Sequence, residues 1–184
     1  SDMSDSFLAL GWAGLLGLMI GSFLNVVIYR LPRMMQAQWD ADTGSQAARG
    51  QPFNLAVPGS HCPHCQHPLR WFENIPLFSF IALRGRCAHC QQPIAWRYPI
   101  IEMITAGLFM GIVFQHGWGF AALAWAGFAS ALLALAAIDA DTRLLPDIIT
   151  QPLVWAGLLA ASLGISGICL QEAVWGAVAG YLFL

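Results

Sequence analysis

The chain alternates between long apolar stretches and short polar segments, as in proteins that cross a membrane several times. Three stretches hold almost no charge: residues 7–29 have none, residues 99–138 have only Glu102, and residues 148–184 have only Glu172. Each is longer than the roughly 20 apolar residues that a membrane-crossing helix needs. The pattern therefore predicts an all-α polytopic membrane protein whose surroundings are the lipid bilayer.

The second apolar stretch is too long for one crossing, and a Gln-His-Gly-Trp-Gly turn sequence interrupts it at residues 115–119. We therefore expect helices over about 99–114 and 118–138, then over 148–168 and 173–184. The last of these is too short to cross a bilayer. We interpret it as an incomplete fifth helix and expect further residues beyond the end of the chain.

The remaining boundaries follow from this division. Residues 1–6 form an N-terminal tail, whose first two residues we interpret as a remnant of an expression vector. Residues 7–30 lack the basic start of a signal peptide, so we predict a retained transmembrane helix. Residues 31–98 form the one mixed-polarity domain, and 99–184 hold transmembrane helices 2–5. Composition agrees, since only 10% of residues are charged, against about 25% in soluble domains.

Basic residues set the predicted orientation. The chain has no lysine, and most of its 8 basic residues lie between the first two apolar stretches. The arginines are residues 30, 33, 49, 70, 84, 86, 97 and 143. Because cytoplasmic loops of membrane proteins are enriched in arginine, we predict that the 31–98 domain and the 139–147 loop both face the cytoplasm.

Four cysteines in that domain form two similar motifs, CPHCQHPL at 62–69 and CAHCQQPI at 87–94. Two Cys-x-x-Cys pairs at this separation are typical of a tetrahedral, structural zinc site, here with ligands Cys62, Cys65, Cys87 and Cys90. A pair of disulfides is the alternative, although a cytoplasmic segment is reducing. Histidines could also replace a cysteine ligand; the candidates are His61, His64, His67 and His89. The solitary Cys169 is expected to be a small apolar residue within a helix.

Three acids cluster at the predicted cytoplasmic end of one helical hairpin. Asp139 follows an Ala-Ala-Ile sequence directly, and a charge at membrane depth is rare without a function or a partner. Two such carboxyl groups that share one proton can activate water, as in aspartic proteases. Asp141 and Asp147 have a simpler interpretation as solvated loop and helix-capping residues. Asp139 is therefore the candidate catalytic residue.

Five ordered sequence blocks resemble those of the bacterial type IV prepilin peptidases, which are also N-methyltransferases. The blocks are GSFLNVVIYRLP at 21–32, the two cysteine motifs, ENIPLFSF at 73–80, RYPIIE at 97–102 and IDADTRLLPD at 138–147. The resemblance implies that Asp139 is the first of two catalytic aspartates. It places the second in a Gly-x-Gly-Asp motif, which does not occur within residues 148–184. We therefore expect a C-terminally truncated chain that cannot cleave a prepilin alone.

The resemblance also implies substrates and a cofactor. Members of the family remove the leader of type IV prepilins or pseudopilins at the cytoplasmic face of the bacterial inner membrane, and methylate the new N-terminus with S-adenosylmethionine. As a hypothesis, the polar residues Asn25, Arg30, Glu73 and Asn74 line a cleft for the substrate or the methyl donor. No nucleic-acid partner is expected.

Two other classes of function stay open at this point. The chain could be a non-catalytic membrane scaffold, whose zinc motifs dock a partner while its acids pair with arginines. It could also be a transporter with Asp139 as a proton or cation relay. The near absence of polar residues through the predicted helices disfavours the transporter.

Overall fold

The computed structural model describes residues 2–44, 54–57, 59–62, 64–70 and 75–183. Within these residues the regular structure is helical, with two isolated backbone bridges, so the all-α prediction is confirmed. The helices are α1 Asp2–Asp42, α2 Phe78–Ala82, α3 Arg97–His116, α4 Phe120–Thr142, α5 Asp147–Ser162 and α6 Leu170–Phe183. The four cysteines lie between α1 and α3, as the sequence predicted.

Helix α1 is longer than the sequence predicted. Its 41 residues reach roughly 60 Å at 1.5 Å per residue, about twice the thickness of the hydrocarbon core of a bilayer. The helix does not end at the predicted transmembrane boundary after Arg30 but continues through Pro32 to Asp42. Proline removes one backbone hydrogen bond of the helix. On either side of Pro32, the Arg33 guanidinium and the Tyr29 ring stack on each other at 3.5 Å. A long projection therefore extends from the apolar part of α1.

Three of the described helices are long and apolar enough to cross a membrane: Ser6–Asp42 of α1, α3 and α4. The bounds of α3 and α4 lie within a few residues of the predicted ones. Helix α5 is shorter than predicted, because it ends at Ser162 and Gly164 takes a left-handed φ of 69°. With 16 and 14 residues, α5 and α6 fall below the roughly 20 that a crossing needs.

Helices α1 and α3 approach each other closely at two glycines. A Cβ added to Gly17 would lie 2.6 Å from the Cα of Ala106, and one added to Gly21 would lie 2.7 Å from the Cα of Glu102. Glycines four residues apart form a flat strip on a helix, which lets a second backbone come close enough for dense packing inside a membrane. This contact fixes Glu102 against α1.

Helix α4 joins this pair through an apolar cluster at the end of the bundle where α3 begins. The buried members are Leu24, Ile28 and Leu31 of α1, Ile101 of α3, and Ala134 and Ile138 of α4. Ile138 is completely buried, so the residue that follows it, Asp139, lies at a rigid point of the bundle. The cysteine domain and the aspartate loop therefore occupy the same end of the helices.

Candidate functional site

The two cysteine motifs fold into the same hydrogen-bonded turn. In each copy, the first cysteine accepts a bond from the residue four positions later and donates one to the residue five positions later. The bonds are Gln66 N–H to Cys62 O (2.9 Å), Cys62 N–H to His67 O (2.9 Å), Gln91 N–H to Cys87 O (3.0 Å) and Cys87 N–H to Gln92 O (2.9 Å). Gln66 and Gln91 both take left-handed φ angles, of 59° and 58°. The sequence repeat is thus a structural repeat that presents two sulfurs from each turn.

The four sulfurs form one compact cluster. The Sγ atoms of Cys62, Cys65, Cys87 and Cys90 all lie within 4.8 Å of one another, and Cys62 and Cys90 are 3.8 Å apart. Zn–S bonds of about 2.3 Å at tetrahedral angles place neighbouring sulfurs roughly 3.8 Å apart. All the described cysteines are free, so the disulfide alternative is not observed. The donor set and spacing fit a metal ion held by four thiolates.

Histidine does not join this cluster within the described residues. The His67 and His89 rings stack on each other with centroids 4.7 Å apart. His61 instead uses Nδ1 to bond the Gly59 carbonyl at 2.9 Å. The alternative of a histidine ligand is therefore not supported by the geometry, and the stacked pair packs one cysteine turn against the other.

The thiols of the cluster differ in proton affinity. Backbone N–H groups of Cys90 and His89 lower the pKa of Cys87 from 9.0 to about 7. The pKa of Cys90 rises to about 12, because the lowering by the Gln92 N–H is outweighed by burial and by the three neighbouring sulfurs. The two shifts describe one set of shared protons, since ionising the first thiol raises the pKa of the next.

A cavity of about 210 Å³ lies between the cysteine domain and the start of α3. Its walls come from α1, α2, α3 and both cysteine turns, including Cys62 and Cys87. Three buried polar side chains line it: Asn25, Arg30 and Glu102. Clefts that combine apolar walls with a few converging polar groups are the usual form of small-molecule sites.

Two residues predicted to line a cleft do line this one. Asn25 donates from Nδ2 to the Tyr98 carbonyl at 3.1 Å, which ties α1 to the start of α3. Arg30 donates from Nη1 to the Asn54 carbonyl at 3.0 Å, which ties α1 to the loop before the cysteines. The other two predicted residues, Glu73 and Asn74, lie outside the described residues.

Glu102 is the buried acid of the cavity. It lies one turn into α3 and is 7% exposed. Its Oε2 accepts a hydrogen bond of 2.8 Å from the backbone N–H of Leu77, and the Ser22 side chain is a second hydrogen-bonding neighbour. Leu77 has a left-handed φ of 54° and precedes α2, so Glu102 holds the turn that positions α2 over the cavity.

Asp139 lies in the last turn of α4. Its backbone carbonyl accepts the N–H of Arg143 at 2.8 Å, and Arg143 ends the helix in the left-handed conformation. The Asp139 side chain is exposed and has no ion pair or hydrogen bond with any described residue. The carboxylate is therefore accessible at the end of the bundle that carries the cysteine domain.

The neighbouring acids have structural roles. Asp141 forms an ion pair with Arg97, the first residue of α3. Asp147 is the first residue of α5 and follows the capping residue Pro146, one position later than its predicted capping role. A carboxylate in the first turn still stabilises a helix through its dipole.

Two protein-family models match the chain. Residues 15–116, more than half of its length, match the bacterial peptidase A24 N-terminal domain. Residues 126–184 match the type IV leader peptidase family. The chain belongs to this peptidase family. The first match contains the four cysteines and the second contains the Asp139 loop, so the family inferred from five sequence blocks is confirmed.

Curated relatives of this chain carry the name prepilin leader peptidase/N-methyltransferase. The Burkholderia pseudomallei K96243 protein is 50% identical over 182 residues, which cover 95% of this chain and 59% of the relative. The Stutzerimonas stutzeri protein is 47% identical, covering 92% and 60%, and the Neisseria gonorrhoeae protein is 45% identical, covering 98% and 65%. The chain thus spans about three fifths of the length of these relatives. No solved structure matches it.

Sequence reasoning missed the buried acid of the cavity. Glu102 was noted only as a lone charge in an apolar stretch of 40 residues. Its isolation indicates a functional residue, because placing an ionisable side chain within a membrane helix costs free energy. The sequence could not show that Glu102 faces Leu77, which lies 25 positions away.

Proposed function

We propose that this leader peptidase chain acts in a membrane aspartic endopeptidase that removes the leader of type IV prepilins or pseudopilins and then methylates the new N-terminus. The observation that carries the proposal is the family match over residues 126–184, which includes the Asp139 loop. The naming of the relatives as both peptidase and N-methyltransferase supports the second activity.

We assign to Asp139 one of the two carboxyl groups that share a proton and activate water. Its support is its exposed position at the end of α4, fixed by the buried Ile138. The second acid is expected in a Gly-x-Gly-Asp motif, which residues 148–184 do not contain. Cleavage therefore needs a second aspartate that these 184 residues do not supply in such a motif, and the 184 residues alone are expected to be inactive as a protease.

We assign zinc to the four-cysteine cluster in a structural role. Four thiolates complete a tetrahedral zinc site and leave no position for a catalytic water. The ion would hold the two cysteine turns together, and both turns contribute to the wall of the cavity. Zinc therefore acts on the shape of the cavity and takes no part in peptide cleavage.

We place methyl transfer at this cavity, with S-adenosylmethionine as the donor of an electrophilic methyl group. Its support is the combination of buried polar groups and apolar walls beside the helix end that bears Asp139. We also propose that this end of the bundle faces the cytoplasm of a bacterial inner membrane, because the arginines concentrate there. Cleavage and methylation would then act on the same end of a membrane-anchored substrate.

Replacement of Asp139 tests the protease assignment in a chain extended to the relatives' full length. Asp139→Asn should abolish cleavage of a prepilin, because an amide cannot share the catalytic proton, while methylation of a pre-cleaved substrate continues. Asp147→Asn, an exposed acid of the same loop, is the matched control and should keep cleavage. Retained cleavage in Asp139→Asn would remove the assignment and favour the scaffold alternative.

A further inference from the structure

The Glu102 side chain has hydrogen-bond donors but no ion-pair partner among the residues that the structure describes. It is buried in a helix long enough to cross a membrane, and its partners are the neutral Leu77 N–H and the Ser22 side chain. Among the described residues, the ion pair between an arginine and a carboxylate is Arg97–Asp141, and no basic side chain pairs with Glu102. Arg30 lines the same cavity, but its guanidinium donates to the Asn54 and Leu55 carbonyls. The described residues thus give this buried acid no ion-pair partner.

An amide would serve the structural role equally well. A glutamine oxygen also accepts a bond from a backbone N–H, without the cost of burying a charge. A carboxylate carries about four lone-pair positions, so one N–H and one hydroxyl leave acceptor capacity unused. Buried charges are usually paired, and an ionisable group in a membrane helix marks a functional site whose partner should be named.

The cavity around Glu102 suits one small cationic group. Its volume of about 210 Å³ is below the ~300 Å³ at which whole-ligand pockets begin, so it takes the end of a ligand. Val26, Leu77 and Phe80 form apolar parts of the cavity wall. Such walls exclude water and strengthen an ionic hydrogen bond to the group inside.

We propose that Glu102 binds an aliphatic ammonium group in this cavity. The proposal rests on the proposed methyl transfer for the source of that group. Two ligands contain such an ammonium group: the methyl donor, at its amino-acid end, and the cleaved substrate, at its free N-terminus. In both cases the carboxylate anchors the ammonium group by charge inside a largely apolar cavity.

Calorimetric titration of the 184-residue chain in detergent micelles tests this binding. One arm uses S-adenosylhomocysteine and its analogue without the amino group; the other uses a short apolar peptide with a free N-terminus and its acetylated form. At least one ammonium-bearing probe should bind, and Glu102→Gln should weaken it at least tenfold. The matching probe without the ammonium should bind both proteins equally weakly. The arm that responds identifies the source.

Glu172→Gln is the matched control, because it removes the other lone carboxylate of the apolar stretches from an exposed position on α6. It should leave probe binding unchanged. Zinc content and thermal unfolding of Glu102→Gln should equal those of the parent, since the amide still accepts the Leu77 N–H. Equal binding of ammonium probes by Glu102→Gln and the parent, or no binding by either, would overturn the proposal. Peptide binding without S-adenosylhomocysteine binding would contradict only the donor's place in the cavity.

Discussion

Arg97, the first residue of α3, forms an ion pair with Asp141 in the last turn of α4, two residues after Asp139. The chain between the second cysteine turn and Arg97 is short and bonded, since the N–H of Ile94 donates to the Gly85 carbonyl at 2.8 Å. The pair therefore connects the cysteine domain to the helix end that carries the candidate catalytic residue.

Charge reversal should show whether this pair positions Asp139. The Arg97 and Asp141 side chains are 40% and 43% exposed, and exposed pairs contribute only about 0.2–1 kcal/mol. Arg97→Asp or Asp141→Arg should therefore lower kcat for prepilin cleavage by up to about fivefold, with KM unchanged. The doubly reversed protein should regain most of the loss. Steady-state cleavage by chains extended to full length measures this, and equal losses in single and double variants would show that the pair is irrelevant.

Loss of one cluster thiol should disrupt the cysteine domain. Cys62→Ser should lower zinc content from about one ion per chain to near zero, because three thiolates bind a structural zinc far more weakly. Cys169→Ser provides the control, since that cysteine is exposed and lies outside the cluster. Atomic absorption measures the metal, and limited proteolysis should cut Cys62→Ser within residues 54–96 first. Full zinc content in Cys62→Ser would contradict the four-thiolate assignment.

Zinc binding should weaken as the pH falls, because protons compete with the metal for thiolates. The pKa of Cys90 is raised to about 12, so its proton must be displaced throughout the neutral range. The pKa of Cys87 is lowered to about 7, so it adds a further displaced proton mainly below pH 7. Each displaced proton contributes about a factor of ten per pH unit, so the affinity should fall by at least about tenfold per pH unit above pH 7 and more steeply below it. Chelator competition between pH 6 and 8 measures the slope, and a pH-independent affinity would contradict it.

The sequence predicted features that local patterns encode. Apolar runs predicted α3 and α4, and the paired Cys-x-x-Cys spacing predicted the four-cysteine cluster. The sequence did not predict that α1 continues past Pro32, because the helix boundary was drawn at the end of the charge-free stretch. In the structure, Arg33 stacks on Tyr29 across the proline. A contact such as that between Arg33 and Tyr29 forms only once the helix has formed, so hydropathy does not reveal it.

Contacts between residues distant in the chain were not predicted from the sequence. The bond from Asn25 to the Tyr98 carbonyl joins residues 73 positions apart, and the Arg97–Asp141 pair joins α3 to α4. Either contact depends on the crossing of α1 with α3 and α4, which hydropathy alone does not specify. For the same reason, the sequence suggested a cleft but could not identify Glu102 as its buried acid.

The close crossing of α1 and α3 depends on Gly17, and a substitution there gives the last prediction. Gly17→Ala would place a Cβ 2.6 Å from the Ala106 Cα and 2.9 Å from the Thr105 carbonyl oxygen. Both are backbone atoms that cannot rotate away, so the helices must separate at a cost of about 1–3 kcal/mol. Gly11→Ala on the same helix meets no heavy atom of the described residues within 4 Å and should stabilise the protein slightly through helix propensity.

Thermal unfolding in micelles compares the two variants, and equal Tm values would contradict the close approach of α1 and α3. Gly21→Ala extends the test to the cavity, because its Cβ would lie 2.7 Å from the Cα of Glu102. Displacing that backbone should move the carboxylate away from the Leu77 N–H. Gly21→Ala should therefore weaken binding of ammonium probes, whereas Gly17→Ala, one turn farther from the cavity, should lower the Tm with a smaller effect on binding. This difference separates the packing role of the glycine strip from its role in placing Glu102.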